Sequence, residues 1–506
     1  MPSHAPGEKP WIGNQEIPGG LKRSAVRSWA VTAVGQGARL VVMLVSTAIM
    51  ARILSPGDYG LVAMVMAFVV LVTRFKDLGL SQATVQRAHV TEQQVSGMLW
   101  LNVATGILIM IVMAALAPVV SRLYGQPELA GICLAYAVMA PISSLGAQHQ
   151  ALLRRAMRYR SLVLRDLAAV LAGAGAGVFS AFQGLGYWSI VVMHATTEVV
   201  GVAVLWWQSG WSPSRPRWSD DVRPMVRFGG VVTLSNLLGF VTSGLDAFII
   251  GVLFGPTALG FYNRAQNILS QPLKQVLPPI MNVAGSAFAR VAGDTRAFEK
   301  AAVQLTFMVG CVSSLIVAVA ITCADWMVLI MLGPRWDQAV PIARVLAVFA
   351  FVEPVASLLA TLMTARGLPG RLVRWRLISA VVIAASLFAG LPWGPLGVAA
   401  AYSLSGFLVR TPLFIWYAAS HFEVRPSRLF ASVGVPILSG AVITVALALL
   451  RRETGVASPA ASLVTFGLLA AVMHLGLLMS LPYSRHRILA AVALVRHGFG
   501  RRHALA

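Results

Sequence analysis

Apolar stretches of eighteen or more residues recur along the whole chain, and each is long enough to cross the hydrocarbon core of a bilayer. Helices are expected at roughly 26–52, 58–80, 95–121, 129–151, 162–182, 186–208, 226–253, 257–285, 300–322, 340–365, 373–391, 394–418, 428–450 and 461–481. Only 11% of the 506 residues are charged, where a soluble chain carries about 25%. No stretch is long or polar enough for a soluble domain. The head, Met1 to Lys22, is hydrophilic and lacks the apolar run and small-residue cleavage site of a signal peptide, so it reads as a short cytosolic tail.

The connections sort by charge. Alternate ones hold basic clusters: Arg154, Arg155, Arg158 and Arg160; Arg215, Arg217 and Arg223; Arg290, Arg296 and Lys300; Arg366, Arg371 and Arg374; Arg425 and Arg428. The tail adds Arg485, Arg487, Arg496, Arg501 and Arg502. Between them, Gln183–Gly186, Gly255–Thr257 and Leu391–Trp393 are short and carry no basic residue; Arg122, Arg335, Arg451 and Arg452 are the exceptions. The positive-inside rule puts both termini in the cytoplasm and requires an even number of spans. It also accounts for most of the net charge of +22, and no basic, aromatic-studded surface suggests nucleic acid. Cys133, Cys311 and Cys323 lack CxxC spacing and read as small apolar residues, not as a disulfide or metal site.

Shifting the chain by 200 residues lays its first hairpin on the seventh helix and beyond. Val26-Arg27 meets Val226-Arg227, and Pro56 and Gly60 of the first turn meet Pro256 and Gly260. Later the offset drifts to 211, where Arg165 meets Arg376 and Gly186 meets Gly397. Six helices is an even number, so the halves enter from the same side as a parallel repeat, with the binding site expected in the cleft between them. The expected fold is therefore all-α and polytopic: about fourteen transmembrane helices in two six-helix lobes, plus a C-terminal pair. The expected divisions are a cytosolic tail (1–24), an N-lobe (25–210), a linker (211–225), a C-lobe (226–420), two accessory helices (421–482) and a basic tail (483–506). Leu78-Gly79 and Pro278-Pro279 are matched helix breakers, as expected near a transport path.

Charges within spans are costly and tend to face a cavity or a partner. Arg39 lies near the middle of the first helix, while its repeat counterpart is Gly239. Arg74, Lys76 and Asp77 crowd one end of the second helix, where snorkelling is the alternative account. Asp246 and Arg264 each lie nine residues from Gly255, at the same depth of roughly 13 Å below the turn. They could form an ion pair, either structural or acting as a charge switch. Arg264 and Lys274, with Arg39 from the other half, could line one positive cavity. Glu198 and Glu353 are candidate coupling acids, Glu353 precedes Pro354 at an expected bend, Arg410 is also intramembrane, and His194 reads as a satisfied buried histidine. No P-loop, GxSxG or HExxH occurs, so no catalytic residue, metal or cofactor is expected, nor an ATP-driven pump.

Ala51-Arg52-Ile53-Leu54-Ser55-Pro56-Gly57-Asp58-Tyr59-Gly60, with Asp77-Leu78-Gly79-Leu80-Ser81-Gln82-Ala83, resembles the first hairpin of bacterial polysaccharide transporters of the Wzx type. Asp246 to Gly251 and Leu259 to Ala265 resemble the matching signature in the second half. The likeness runs from about residue 25 to 420 and beyond, and is greatest to the branch serving colanic acid, succinoglycan and teichuronic acid. The family sits in the multidrug/oligosaccharidyl-lipid/polysaccharide exporter superfamily. The resemblance implies two six-helix lobes around a central cavity in a bacterial inner membrane. It also implies flipping of an undecaprenyl-diphosphate-linked repeat unit by alternating access, with polymerase and chain-length proteins as pathway partners. Relatives hold the diphosphate with cavity arginines and lysines, which fits Arg39, Arg264 and Lys274, with Arg74 and Lys76 further candidates. Two alternatives stand beside this reading. A cation-coupled multidrug exporter needs an acidic cavity, and the spans hold more bases than acids. A membrane glycosyltransferase or polymerase needs an acidic group on a sizeable loop, and none is visible.

Overall fold

The computed structural model describes residues 21–73, 80–86, 90–214, 244–273, 294–453 and 458–490, and every regular element among them is helical. The helices are α1 (Leu21–Ile53), α2 (Pro56–Thr73), α3 (Leu80–Gln86), α4 (Glu92–Tyr124), α5 (Glu128–Arg155), α6 (Tyr159–Phe182) and α7 (Trp188–Ser209). Next come α8 (Gly244–Leu273), α9 (Thr295–Thr322), α10 (Ala324–Met331), α11 (Ala339–Ala350), α12 (Glu353–Ala365) and α13 (Pro369–Gly390). The last are α14 (Gly394–Ser405), α15 (Thr411–Phe422), α16 (Pro426–Glu453), α17 (Pro459–Ser480) and α18 (482–490).

Among the described residues eleven helices are long and apolar enough to cross a membrane. The expected fourteen exceed that number at three places. Pro369–Phe422 is one apolar run of 54 residues that holds two expected spans. Gly244–Leu273 holds the described parts of two more, with the chain turning at Gly255 (φ 80°). The apolar part of α2, Pro56–Val69, is shorter than a full crossing. Exposed apolar side chains such as Phe182, Val381, Leu438 and Val472 are what a hydrocarbon solvent selects. Trp207, near the end of α7, and Trp393, in the turn between α13 and α14, are exposed as in interfacial belts.

The chain divides into two compact units, residues 1–260 and 261–506. In the first, α4 packs on α5 and α6 on α7. Small residues permit the second contact: a methyl group at Gly173 would lie 1.9 Å from Thr197 Oγ1, and one at Gly177 2.7 Å from Met193 Cβ. In the second, α16 packs along α9, and Phe298, Leu358, Phe414 and Phe422 fill the core between α9, α12, α15 and α16.

The repeat has a physical counterpart within the first unit. Ser55 caps α2 reciprocally: its amide donates to Asp58 Oδ2 at 2.8 Å, and the Asp58 amide donates to Ser55 Oγ at 3.2 Å. Pro56 then starts the helix where no donor is needed. The two copies of this turn cross. A methyl group at Gly60 would lie 1.7 Å from the Pro256 carbonyl oxygen, and one at Gly260 1.9 Å from the Pro56 carbonyl oxygen. Each contact is the other displaced by 200 residues, as a local two-fold axis requires. Only glycine admits backbone this close.

Within the second unit, Asp325 of α10 receives two bonds from Arg451 of α16, one of them 2.8 Å long, and a third from Arg344 of α11 at 3.4 Å. The Arg451 guanidinium lies 4.0 Å from the Trp326 ring centre. Burial pushes the Asp325 carboxyl up, but the Arg451 bond and charge, with Arg344, outweigh it and hold the carboxyl below its ordinary 3.8. A depressed folded-state value means stability present at neutral pH and lost on acidification through that value. Asp325→Asn is expected to lower the Tm in detergent, by about 1 kcal/mol of stability. The difference from the native chain should be constant from pH 8 to 5 and should shrink only below pH 4. An equal difference at all pH values would remove the ion pair from the account.

Candidate functional site

A guanidinium in a membrane span needs an acid, a carbonyl or water beside it. Arg39 finds an acid through packing. Gly35, one turn earlier on α1, brings that helix against α6, where a methyl group would lie 2.2 Å from Val163 Cγ1. The next turn of both helices then brings Arg39 to Asp166, N to O 3.6 Å. Asp166 is held more tightly by its neighbour Arg165, at 2.8 Å. The Arg165 Nε donates to the Gly201 carbonyl of α7 at 3.5 Å, and Gly201 has no side chain to block it. Two guanidinium groups thus share one carboxylate. The cluster is open: the side chain of Arg39 is 46% exposed and that of Asp166 26%. Arg39 keeps most of its five donors for something else. Glu198 lies one turn before Gly201 on α7, half-buried, and makes no hydrogen bond or ion pair among the described residues.

Asp246 is buried in the first unit, on the part of α8 before Gly255. That segment is fixed by an aromatic cluster in which Phe248 meets Phe68 at 6.2 Å and Tyr124 at 6.0 Å, all edge-on. Arg264 belongs to the second unit and is half-buried in a polar strip: it donates to Asn263 Oδ1 at 3.4 Å, and Asn267 donates to the Asn263 carbonyl at 2.9 Å. The expected Asp246–Arg264 pairing stays a proposal. Arg74, Lys76 and Lys274 lie outside the described residues.

Glu353 is exposed in the first turn of α12, and the helix is interrupted after Ala350, so the bend expected at Glu353-Pro354 is present. His194 accepts or donates a 2.6 Å bond with Tyr136 Oη, as a satisfied histidine should. The three cysteines are free, and no group of three His, Cys, Asp or Glu among the described residues could hold a metal.

The sequence reading missed Asp166 as a partner, and it placed Arg410 in the membrane without its surroundings. Asp166 follows Arg165 at the basic end of its helix, where a charged doublet is ordinary, and only the α1–α6 contact gives it a partner. Arg410 is buried in a π-helical turn, Gly406–Arg410, between the Phe349 and Tyr402 rings at 4.6 and 4.5 Å. It also donates to the Tyr402 carbonyl at 2.8 Å. Aromatic faces and a carbonyl serve this cation where Arg39 has a carboxylate, so Arg410 clamps α14 to α11.

The profile of a family described as polysaccharide biosynthesis protein matches residues 49–341. The teichuronic acid biosynthesis protein TuaB of Bacillus subtilis is 27% identical over 379 residues, 72% of this chain and 75% of the relative. The lipopolysaccharide biosynthesis protein WzxC of Escherichia coli is 23% identical, covering 69% of each chain. The succinoglycan biosynthesis transport protein ExoT of Rhizobium meliloti is 25% identical, covering 67% of this chain and 68% of the relative. Among solved structures, the lipid II flippase MurJ in an inward closed conformation superposes with a TM-score of 0.71 at 12% identity, over 89% of this chain and 99% of MurJ. An inward-facing multidrug transporter of the MATE family gives 0.60 at 15% identity, over 83% and 96%. These likenesses establish the fold.

Proposed function

The chain belongs to the polysaccharide biosynthesis protein family, and on that premise we propose that it is a flippase for an undecaprenyl-diphosphate-linked oligosaccharide. It is a transporter, not an enzyme, and it works by alternating access in a bacterial inner membrane, with both termini in the cytoplasm. The observation that carries the reading is the Arg39–Asp166–Arg165 cluster, a net positive group that stays half open inside a span. A diphosphate offers paired oxygens that a guanidinium fork engages two at a time. The relatives' names refer to teichuronic acid, lipopolysaccharide and succinoglycan, polymers assembled from sugars. The cation-coupled multidrug exporter is less well supported, because an exposed arginine beside the acid disfavours a cationic drug. Polymerase and chain-length proteins of the same pathway are the expected partners.

In cells lacking the chain, lipid-linked repeat units should accumulate with their sugars facing the cytoplasm, and surface polymer should disappear. Unchanged surface polymer would contradict the assignment.

Asp246 supplies a separate prediction. Its carboxylate is buried, so its charge must be compensated. Asp246→Asn should lower export severalfold or lower the Tm of the purified protein. Unchanged export together with an unchanged Tm would rule out both the switch and the structural pair.

A further inference from the structure

The second unit holds a basic cavity whose described walls include none of the residues assigned to the cargo. Its volume is ≈ 760 Å³, and its walls carry Arg296 and Lys300 from the start of α9, Arg425 and Arg428 at the start of α16, Arg487 of α18, and one acid, Glu299. The three stretches come from three separate basic connections, all assigned by loop charge to the cytoplasmic face. Five cations sit against one carboxylate, and that carboxylate is already occupied: Arg428 donates to Glu299 at 3.1 Å. Arg487 lies 4.6 Å from the Tyr483 ring centre and donates to Gln304 at 3.4 Å. The side chains of Arg296, Lys300 and Arg425 make no hydrogen bond or ion pair among the described residues. Like charges gathered without an acid are unfavourable unless an anion joins them.

The cavity has an apolar continuation. Ala431 lines it. Along α16 the positions three, seven, eleven and fourteen residues further, Gly434, Leu438, Val442 and Val445, fall on the same helical face. Leu438, Val442 and Val445 are 68%, 55% and 59% exposed, and a side chain at Gly434 would meet nothing within 4 Å. A phosphate pocket that opens onto an uncovered apolar stripe matches an anionic headgroup joined to an acyl chain. The stripe faces the hydrocarbon, so a lipid anion seated in the cavity keeps its chains in the bilayer, whereas a soluble anion uses the basic walls alone.

We propose that this cavity binds the headgroup of an anionic phospholipid of the cytoplasmic leaflet, with an acyl chain along Leu438, Val442 and Val445. The site is separate from the one that holds the cargo, and it rests on the orientation proposed above. Basic pockets at this depth gain from the negative surface potential as well as from direct contacts.

The test uses the purified full-length protein in detergent. Thermal stability is followed while adding phosphatidylglycerol, cardiolipin, phosphatidylcholine, inorganic phosphate or undecaprenyl diphosphate. Phosphatidylglycerol and cardiolipin should raise the Tm, whereas phosphatidylcholine and inorganic phosphate should not. In the variant carrying Arg296→Gln, Lys300→Gln and Arg425→Gln, the anionic lipids should require about 100-fold higher concentration for the same shift. The undecaprenyl diphosphate shift should be the same in both proteins, and Arg39→Ala should keep the full phospholipid response. If the triple variant fails to fold, each single variant should show a smaller part of the same loss. No phospholipid shift in the native protein, or an undiminished shift in the variants, overturns the proposal. A shift reproduced by inorganic phosphate alone overturns it in favour of a free-anion site. Loss of the undecaprenyl diphosphate shift in the triple variant overturns it in favour of a cargo subsite.

Discussion

Arg39→Ala is expected to abolish polymer export while the protein still inserts and folds. Folding survives because Arg39 is half exposed and its departure orphans nothing: Asp166 keeps its 2.8 Å bond to Arg165. Export fails because the guanidinium is the open cation of the cluster. Losing one charge-assisted contact costs about 2–3 kcal/mol, on the order of a hundredfold in occupancy. Arg39→Lys keeps the charge without the planar fork and should fall between the two. Arg264→Ala should behave as Arg39→Ala does. Surface polymer is measured against the amount of protein in the membrane. Full export by both alanine variants would remove these arginines from the mechanism.

Gly60→Leu is expected to prevent accumulation of folded protein, and so is Gly260→Leu. At each position the first side-chain carbon would fall within 2 Å of a carbonyl oxygen, from Pro256 and Pro56 respectively. Backbone at a helix start cannot step aside as a flexible side chain can, so the cost should reach about 3 kcal/mol or more. Gly57→Ala is the control. Its nearest neighbour would be Thr257 Oγ1 at 3.4 Å, an ordinary contact, and its yield should stay near the native level. Yield and monodispersity in detergent decide the matter. If both leucine variants match the native protein, the two turns do not cross as described.

The spans were legible because a bilayer demands long apolar runs, and hydropathy reports that directly. Their ends were less so. The run at 95–121 becomes α4, Glu92–Tyr124, because a capping box between Thr91 and Gln94 extends the helix into polar sequence and Gly125 closes it at φ 64°. The break before Glu353 was readable, since proline announces its own missing donor. The π-helical turn at Arg410 was not anticipated within the expected helix 394–418, although Pro412, which cannot donate back into the helix, lies just beyond it. The Pro-x-x-x-Gly repeat was visible as a spacing, whereas the reason for its glycines needed the crossing turns. Asp166 and the α9–α16–α18 cavity could not be read at all. Their residues are ordinary members of basic loop regions, and only tertiary packing decides which of them share a surface.

The central claim is that this chain carries a diphosphate-linked sugar lipid across the bilayer. Its most direct test is translocation in proteoliposomes loaded with an undecaprenyl-diphosphate-linked oligosaccharide, scored by accessibility of the sugar to a lectin outside. The native protein should expose lipid beyond the amount present at the start, and Arg39→Ala should expose none. No translocation by the native protein, with uptake of a cationic dye driven by an ion gradient in the same vesicles, would contradict the account and make the chain a drug exporter.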